Sequence, residues 1–450
     1  MKYIRLISRI ILGIIFIFSG FVKIVDPLGS AYKFADYFNA FRLGFLEFAA
    51  LPLGIFLATF ELVLGIILIL GYRRKIVFFV SMWFISFFTL LTFVLAIFNP
   101  VSDCGCFGDA LILTNWQTFF KNVVLMVFVL ILYFHRKKEV GSDRRIGEWV
   151  VLGVLFLMAS CFSFWNYRHI PLIDFRPYEV GTVIAEGMEI PEGAPQDQYE
   201  TSLVYKNKKS GKSESFAIEN YPKDTLLWEF ESSDSKLIKK GFEAPIHDFS
   251  IMDEDGTDLA NEILSDRDYS LILICHNLNN SDQSALQIAR GWSQLEILAG
   301  DFTFYAVTAT PSAEVQSISS ALNLGYGFYA ADEIMLKTII RSNPGFVLLK
   351  NGTILGKWGY RDFPAIEDLD PEWSELVGNA SAPVDEETQL LMEAGVYEDF
   401  SFNVVDFDRF LPDLLFKRST KRGERRAIVA FIMGLIILLL LTQYMSPTKV

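Results

Sequence analysis

The chain has 450 residues, of which 52% are hydrophobic, and its mean hydropathy is positive. That is too apolar for a water-soluble protein of this length. With 40 basic and 53 acidic residues the net charge is −13, so no large basic face is available for phosphates and nucleic acid is not expected as a partner.

In chain order, five apolar runs come first, at residues 6–25, 49–70, 76–98, 116–134 and 146–165. Each is long enough to cross about 30 Å of hydrocarbon as a helix, which makes the lipid bilayer the first expected partner. The fourth is the weakest, because Lys121 and Asn122 fall in its first turns. Lys2, Arg5 and Arg9 precede the first run as they would in a signal peptide. No small-x-small cleavage site follows, and a retained helix is expected. A sixth run, 427–444, stands alone near the C-terminus.

Short loops set the expected orientation. Arg73-Arg74-Lys75, Arg136-Lys137-Lys138 and Arg144-Arg145 fall on the same side as the basic N-terminus, which the positive-inside bias makes cytoplasmic. Residues 99–115 and the long polar region after residue 165 then lie outside. Lys417, Arg418, Lys421, Arg422, Arg425 and Arg426, just before the last run, are left on the outer side and run against that bias.

Half of the four cysteines occupy one outer loop, Asp103-Cys104-Gly105-Cys106-Phe107-Gly108. A Cys-x-Cys disulfide closes a very small ring, so it is strained and suited to giving up oxidising equivalents. Gly105 supplies the backbone freedom that such a ring needs. A structural disulfide shaping the loop is the bland alternative. Metal binding through two thiolates with Asp103 or Asp109 is a lesser one, since a soft site wants more sulfur or imidazole. Cysteine spacing alone does not decide among these. Cys161, in the fifth run, reads as inert, with a relay from the loop pair to it conceivable if the run ends near Trp165.

Glu61 lies near the middle of the second run, where an ionisable side chain is costly and faces the bundle interior. It is a candidate proton relay or contact for a polar quinone ring during thiol oxidation. Otherwise it is a buried glutamate bonded to a neighbouring helix. Lys23 and Asp26 read as the interfacial end of the first helix, with Lys23 able to snorkel. The aromatic third run (Phe78, Phe79, Trp83, Phe84, Phe87, Phe88) reads as lipid-facing and core packing.

Residues 171–240 are polar with short apolar stretches and turn signals, a β-rich connector. From residue 241 a β/α alternation begins: strand 270–275, helix 284–298, strand 302–308, helix 333–341, then strands 346–350 and 353–358 around Asn351-Gly352, a strong hairpin signal. Beyond 361 the chain is acidic and irregular to residue 426, with a short helix near 386–394.

That order, with Asn343-Pro344 opening the hairpin and Glu243-Ala244-Pro245 leading into Phe249-Ser250-Ile251 and the Asp255-Gly256 turn, resembles the thioredoxin-like fold over residues 241–361. The resemblance implies that Pro344 is a cis-proline facing the redox loop. It also implies a Cys-x-x-Cys pair after the first central strand. Here that stretch is Cys275-His276-Asn277-Leu278-Asn279-Asn280, one thiol with no resolving partner. His276 beside it would favour a thiolate, whereas a free cysteine ending a core strand is ordinarily just buried. Cys275 and Pro344 remain as partner-binding candidates, and the domain reads as one that docks rather than catalyses.

Phe18-Ser19-Gly20-Phe21-Val22-Lys23-Ile24-Val25-Asp26-Pro27, Phe60-Glu61-Leu62 with Gly65, and Leu70-Gly71-Tyr72-Arg73 resemble the first two helices of the DoxX superfamily. The DCGCFG loop resembles its MauE branch, membrane proteins linked to maturation of disulfide-rich periplasmic enzymes. The resemblance covers residues 1–138 and implies a redox-associated role.

The sequence therefore predicts an α-helical membrane bundle, a four-helix DoxX/MauE-like unit (1–138) plus further spans (146–165 and 427–444). It also predicts a β-rich connector (171–240), a soluble α/β thioredoxin-like domain lacking CxxC (241–361) and an acidic segment with a basic flank (362–426). The expected setting is a bacterial inner membrane, with the N-terminus cytoplasmic and the soluble domain periplasmic. The expected activity is thiol–disulfide exchange at Cys104 and Cys106 with an exported thiol protein as client, quinone as electron acceptor and Glu61 as proton partner. The alternative is a non-enzymatic membrane anchor or assembly factor whose thioredoxin-like domain binds a partner. A small-solute transporter, carried by Glu61 alone, is the third reading.

Overall fold

The computed structural model describes residues 2–136, 146–239, 241–299 and 302–364. The last apolar run at 427–444, its basic flank and the helix expected near 386–394 lie outside the described residues.

Among the described residues five helices are long and apolar enough to cross a membrane: α1 (Lys2–Val25), α3 (Ala50–Leu70), α4 (Arg74–Phe98), α5 (Asn115–His135) and α6 (Ile146–Arg168), making this a multi-pass membrane protein. Between the first two lies a helix that the apolar pattern does not announce, α2 (Pro27–Ala40). Its signal is local. Asp26 caps it by accepting from Gly29 N at 2.8 Å, and Pro27 opens it where a missing N–H costs nothing.

α1 and α3 pack closely because glycines face the contact. A Cβ on Gly20 would lie 2.4 Å from the Leu62 nitrogen, and one on Gly65 would lie 2.7 Å from the Gly13 oxygen. Small residues let helix backbones approach when lipid supplies no hydrophobic drive between them. The polar start of α5 is absorbed inside. Asn122 donates to Thr92 Oγ1 at 3.2 Å, while Lys121 lies 4.3 Å from the centroid of the Phe107 ring. Thr114 and Gln117 form a capping box at that helix start.

The two ends of the bundle differ in charge. Arg9 reaches the Ile69 carbonyl, and Arg73 pairs with Glu148 at 3.2 Å, so basic residues of α1 and of the turn between α3 and α4 gather at one end. The 103–108 loop and α2 lie at the other, beside Ser19 and Lys33.

Residues Thr182–Phe249 form a compact unit of their own. It holds the short α7 (Ile184–Met188) and an antiparallel sheet of β1 (Gln198–Asn207), β2 (Ser213–Ala217) and β3 (Trp228–Lys239) in the order β2-β1-β3. Tyr205 anchors one face against Phe216, Tyr221 and Phe230.

The α/β domain follows. A short α8 (Ala260–Ser265) leads to β4 (Tyr269–Cys275), buried along its whole length, and α9 (Gln283–Ala299) crosses to the parallel β5 (Phe302–Thr308). α10 (Ser312–Leu322), β6 (Tyr329–Ala330) and α11 (Glu333–Ile339) lead to the hairpin β7 (Gly345–Lys350) and β8 (Thr353–Gly359). The sheet order is β6-β5-β4-β7-β8, with β7 antiparallel to β4. A parallel βαβ unit followed by an antiparallel hairpin on the same central strand is the thioredoxin-like arrangement. The hairpin turns at Asn351-Gly352 with both residues at positive φ, as that dipeptide favours, and Asn343-Pro344 is cis. The sequence reading did not assign α10, although Val315, Ile318 and Leu322 recur at helical spacing and pack, half-buried, against the core.

Polar contacts join this domain to the bundle and to the segment after α6. Arg341 binds Asp26 at 2.9 Å and Asp109 at 2.7 Å, and His169 at the end of α6 pairs with Asp362 at 2.7 Å. Lys357 on β8 reaches Asp174 at 2.6 Å.

Candidate functional site

The 103–108 loop is fixed from several directions. Asp103 accepts from Gly105 N at 2.8 Å and pairs with Lys33 of α2 at 2.6 Å. Tyr37, one turn further along α2, donates to the Cys104 carbonyl at 2.7 Å. Ser19 of α1 donates to the Cys106 carbonyl at 2.6 Å. Phe107 is buried against Phe18, with ring centroids 5.4 Å apart. Gly105 has φ +64, and a side chain there would also press on Lys33 at 3.0 Å. Glycine is therefore required twice over at this position.

The result is a thiol pair with sulfurs 2.9 Å apart. Cys104 is buried and Cys106 half-buried, and both are free thiols. The pair is electrostatically unequal. The Cys104 S–H donates to Cys106, which holds the Cys106 thiol below its ordinary value, and the Lys121 and Lys23 ammoniums add to this against the cost of burial. Cys104 moves the other way, well above the ordinary value, because it carries the shared proton and is buried beside a negative neighbour. One sulfur is thus prepared as a thiolate and the other as its proton donor. Among the described residues no group of three or more metal-ligating His, Cys, Asp or Glu side chains occurs.

Glu61 lies behind this loop. It is buried on α3 and takes Lys23 Nζ at 2.6 Å, while Lys23 also donates to Ser19 Oγ at 3.1 Å. Lys23 therefore turns inward rather than snorkelling to the interface, because a buried carboxylate and a serine offer partners that lipid does not. The side chains of Glu61, Lys23 and Ser19 link in turn to the Cys106 backbone carbonyl.

Cys275 is placed elsewhere. It ends β4 with no exposed surface, and burial pushes its thiol up to about 12. The neighbouring His276 does not activate it. Burial and the Lys337 charge depress the imidazole to about 4, so it carries no positive charge at neutral pH. No partner thiol reaches Cys275 in this state. Pro344 lies on the loop that faces it: Asn343 donates to the Asn277 carbonyl at 2.7 Å and accepts from Ser281 at 3.1 Å. Cys161 is exposed on α6, outside the network that holds the loop pair.

Sequence reading missed Ser19, Lys33, Tyr37 and Lys121 as loop-holding residues, and Arg341 as a bridge. The signal for Lys33 and Tyr37 was the Asp26-Pro27 helix start, which places both on one face of a helix at i and i+4. For Arg341 there was none, because its two partners are 315 and 232 residues distant.

The role of Lys121 is directly measurable. Lys121→Met removes a cation that favours the Cys106 thiolate, so the Cys106 thiol rises toward its ordinary value. At a fixed pH below about 6, the value to which the Cys106 thiol is lowered, its alkylation by iodoacetamide should slow by about tenfold for each unit of pKa. An unchanged rate–pH profile would show that Lys121 does not tune the pair.

Three comparisons with known proteins bear on these parts. Residues 199–240 match the family described as a domain of unknown function, DUF8463. Protein TlpB of Flavobacterium psychrophilum is 25% identical over 170 residues, which cover 35% of this chain and 45% of that protein, so less than half of the relative's length is matched. A solution structure from Bacteroides thetaiotaomicron, described as a candidate protein disulfide isomerase, shares 14% identity at a TM-score of 0.21, covering 29% of this chain and 82% of that one. The part of the chain that carries the thiol loop, residues 1–135, matches the family of methylamine utilisation protein MauE.

Proposed function

We propose that this protein is a membrane thiol–disulfide exchange protein whose Cys104–Cys106 pair oxidises thiols of exported proteins. The observation that carries this reading is the unequal pair itself, two sulfurs 2.9 Å apart with one thiol lowered and its neighbour raised. In the oxidised form a client thiolate attacks one sulfur of the pair and displaces the other as a thiolate. The client's second thiol then attacks the mixed disulfide. The client leaves with a disulfide and the pair is left as two thiols. A low-pKa leaving thiol speeds the first step, which suits Cys106.

The DoxX-like reading of the helices rests on the Phe18–Pro27 and Phe60–Arg73 motifs. The cytoplasmic N-terminus, and the placement of loop and sheet domain on the periplasmic side of a bacterial inner membrane, rest on the basic residues gathered at the opposite end.

Alkylation trapping of the full chain in native membranes tests the reading across glutathione buffers from reducing to oxidising. Cys104 and Cys106 should pass together from labelled to protected within that range. A pair that keeps one state in every buffer excludes it.

A non-enzymatic anchor or assembly factor is favoured by one observation, the fully buried and lone Cys275 of the thioredoxin-like domain. In that case the domain only binds a partner, and the loop pair stays in one state.

A further inference from the structure

Regenerating the oxidised pair needs an acceptor for two electrons, and the bundle has a place for one. A cavity of about 750 Å³ runs between α2, α3 and α4 and ends at Cys104 and Cys106. That volume is in the range that holds a ring-sized ligand with part of a tail. Its walls are apolar and aromatic. Five of the six third-span aromatics line it (Phe79, Trp83, Phe84, Phe87 and Phe88), which gives that aromatic run a use beyond packing.

Its two ends differ in chemistry. Trp83 and Phe87 are 65% and 62% exposed on a helix that faces lipid, so the far end is open to the bilayer. At the near end the two sulfurs lie among Lys23 and Lys33, ammonium donors in an otherwise apolar chamber, and Tyr37, whose O–H is spent on the Cys104 carbonyl. An acyl chain would gain nothing from ammonium groups at its tip. A flat ring with carbonyl oxygens fits both parts, since its faces stack on aromatics and its oxygens accept from lysine.

We propose that this cleft binds a membrane-soluble quinone whose ring lies against Cys104 and Cys106 and takes up their electrons. This rests on the thiol-exchange reading and names its acceptor. The step balances. The Cys106 thiolate adds to the quinone ring, Cys104 then attacks the Cys106 sulfur, and the ring leaves with the electron pair. One S–S bond forms, two S–H bonds are lost, and quinone plus two protons and two electrons becomes quinol. Lys23 stands beside the reacting end as the positioning residue for developing negative charge on the ring oxygen, and Glu61 holds Lys23 in place.

The test uses the full chain in phospholipid nanodiscs without oxygen, reduced and freed of reductant, then mixed with decylubiquinone. One quinol should form per chain as the pair becomes protected from alkylation. Leu57→Trp fills the cleft wall, and its quinol formation should fall at least tenfold relative to its own exchange with glutathione. Binding is read separately in the Cys104→Ser/Cys106→Ser chain with a photoreactive azidoquinone, which should label α3 or α4 and be displaced by decylubiquinone. Glutathione exchange without quinol formation, or labelling that decylubiquinone does not displace, overturns the quinone site and leaves thiol exchange standing. Displaceable labelling in a chain whose wild-type pair never exchanges leaves the site standing and overturns thiol exchange. Quinol formation untouched by Leu57→Trp shows reaction outside this cleft and overturns the proposal.

Discussion

Cys104→Ser should leave a chain that captures glutathione from its disulfide as a stable mixed disulfide, whereas Cys106→Ser should remain almost unlabelled. Both variants lose the exchange cycle entirely, since one sulfur cannot close the internal disulfide. The asymmetry between them is the informative part. In wild type the Cys104 S–H, Lys121 and Lys23 all favour a thiolate at Cys106. Cys104→Ser keeps both lysines but puts its O–H donor on a shorter side chain, so Cys106 stays reactive and its thiol rises as that hydrogen bond lengthens. A rise of one unit would slow its alkylation about tenfold at pH below the thiol's own value. Cys106→Ser instead isolates a buried thiol on Cys104, whose carbonyl is tied to Tyr37 and whose sulfur has lost its only close sulfur neighbour. Mass spectrometry of the intact chain after exposure to oxidised glutathione reads both outcomes. Equal labelling of the two variants would remove the unequal pair from the mechanism.

Asp174→Asn should cost about 3–5 kcal/mol, the effect of breaking a buried ionic network from the side that neutralises it. Asp174 receives Lys357 Nζ at 2.6 Å, Arg176 Nε at 2.7 Å and Arg176 Nη2 at 2.9 Å. Lys357 also donates to the Tyr178 carbonyl at 2.8 Å, and both cations are buried. Without the carboxylate, two cations face each other inside the protein. Burial, and then the Arg176 charge, already depress Lys357 from 10.5 to about 8 in the intact network.

That depression makes stability depend on pH in a defined direction. Between about pH 8 and 10.5 the unfolded chain keeps a proton on Lys357 that the folded chain has released, so stability rises with pH across that window. The full gap corresponds to on the order of 3 kcal/mol. Asp174 acts at the acid end. Its carboxyl is held below 3.8 despite burial, by Lys357 and Arg176, so its contribution is present above the ordinary carboxylate value and is lost as pH falls through the lower folded value. In Asp174→Asn the acid-end loss disappears and Lys357 is depressed further, so the alkaline rise begins below pH ~8. Thermal unfolding of the full chain in detergent, followed by near-UV circular dichroism against pH, reads both changes. A variant with the wild-type midpoint and the same pH profile would show that Asp174 does not hold the sheet domain to the segment after α6.

Activation of Cys275 by His276, the lesser of the two sequence readings, has no support in the fold, for a reason that sequence cannot carry. His276 is adjacent in the chain, and adjacency suggested an activating charge. In the fold the imidazole is buried near Lys337 and is neutral, while the thiol closes a strand with no exposed surface. Lys23 was misread in the same way, because its partner Glu61 lies across a helix contact that closes through Gly20 and Gly65.

Much was legible in the residues alone. Apolar runs of membrane-spanning length fixed the five described spans to within a few residues, since hydrocarbon thickness leaves little choice. Alternating strand and helix patterns, with Asn351-Gly352 and Pro344, gave the thioredoxin-like order, because turn chemistry and periodicity act locally. The loop itself announced two thiols one residue apart, with Gly105 between them supplying backbone freedom, and the structure places that glycine at positive φ. What only the tertiary structure decided is which of those thiols is the better thiolate and what surrounds them. Lys33 and Tyr37 from α2, Ser19 and Lys23 from α1 and Lys121 from α5 converge on one loop from separate helices. Charge acts through space and along no particular stretch of chain, so the loop's chemistry was written in the packing of α1, α2, α3 and α5 around it.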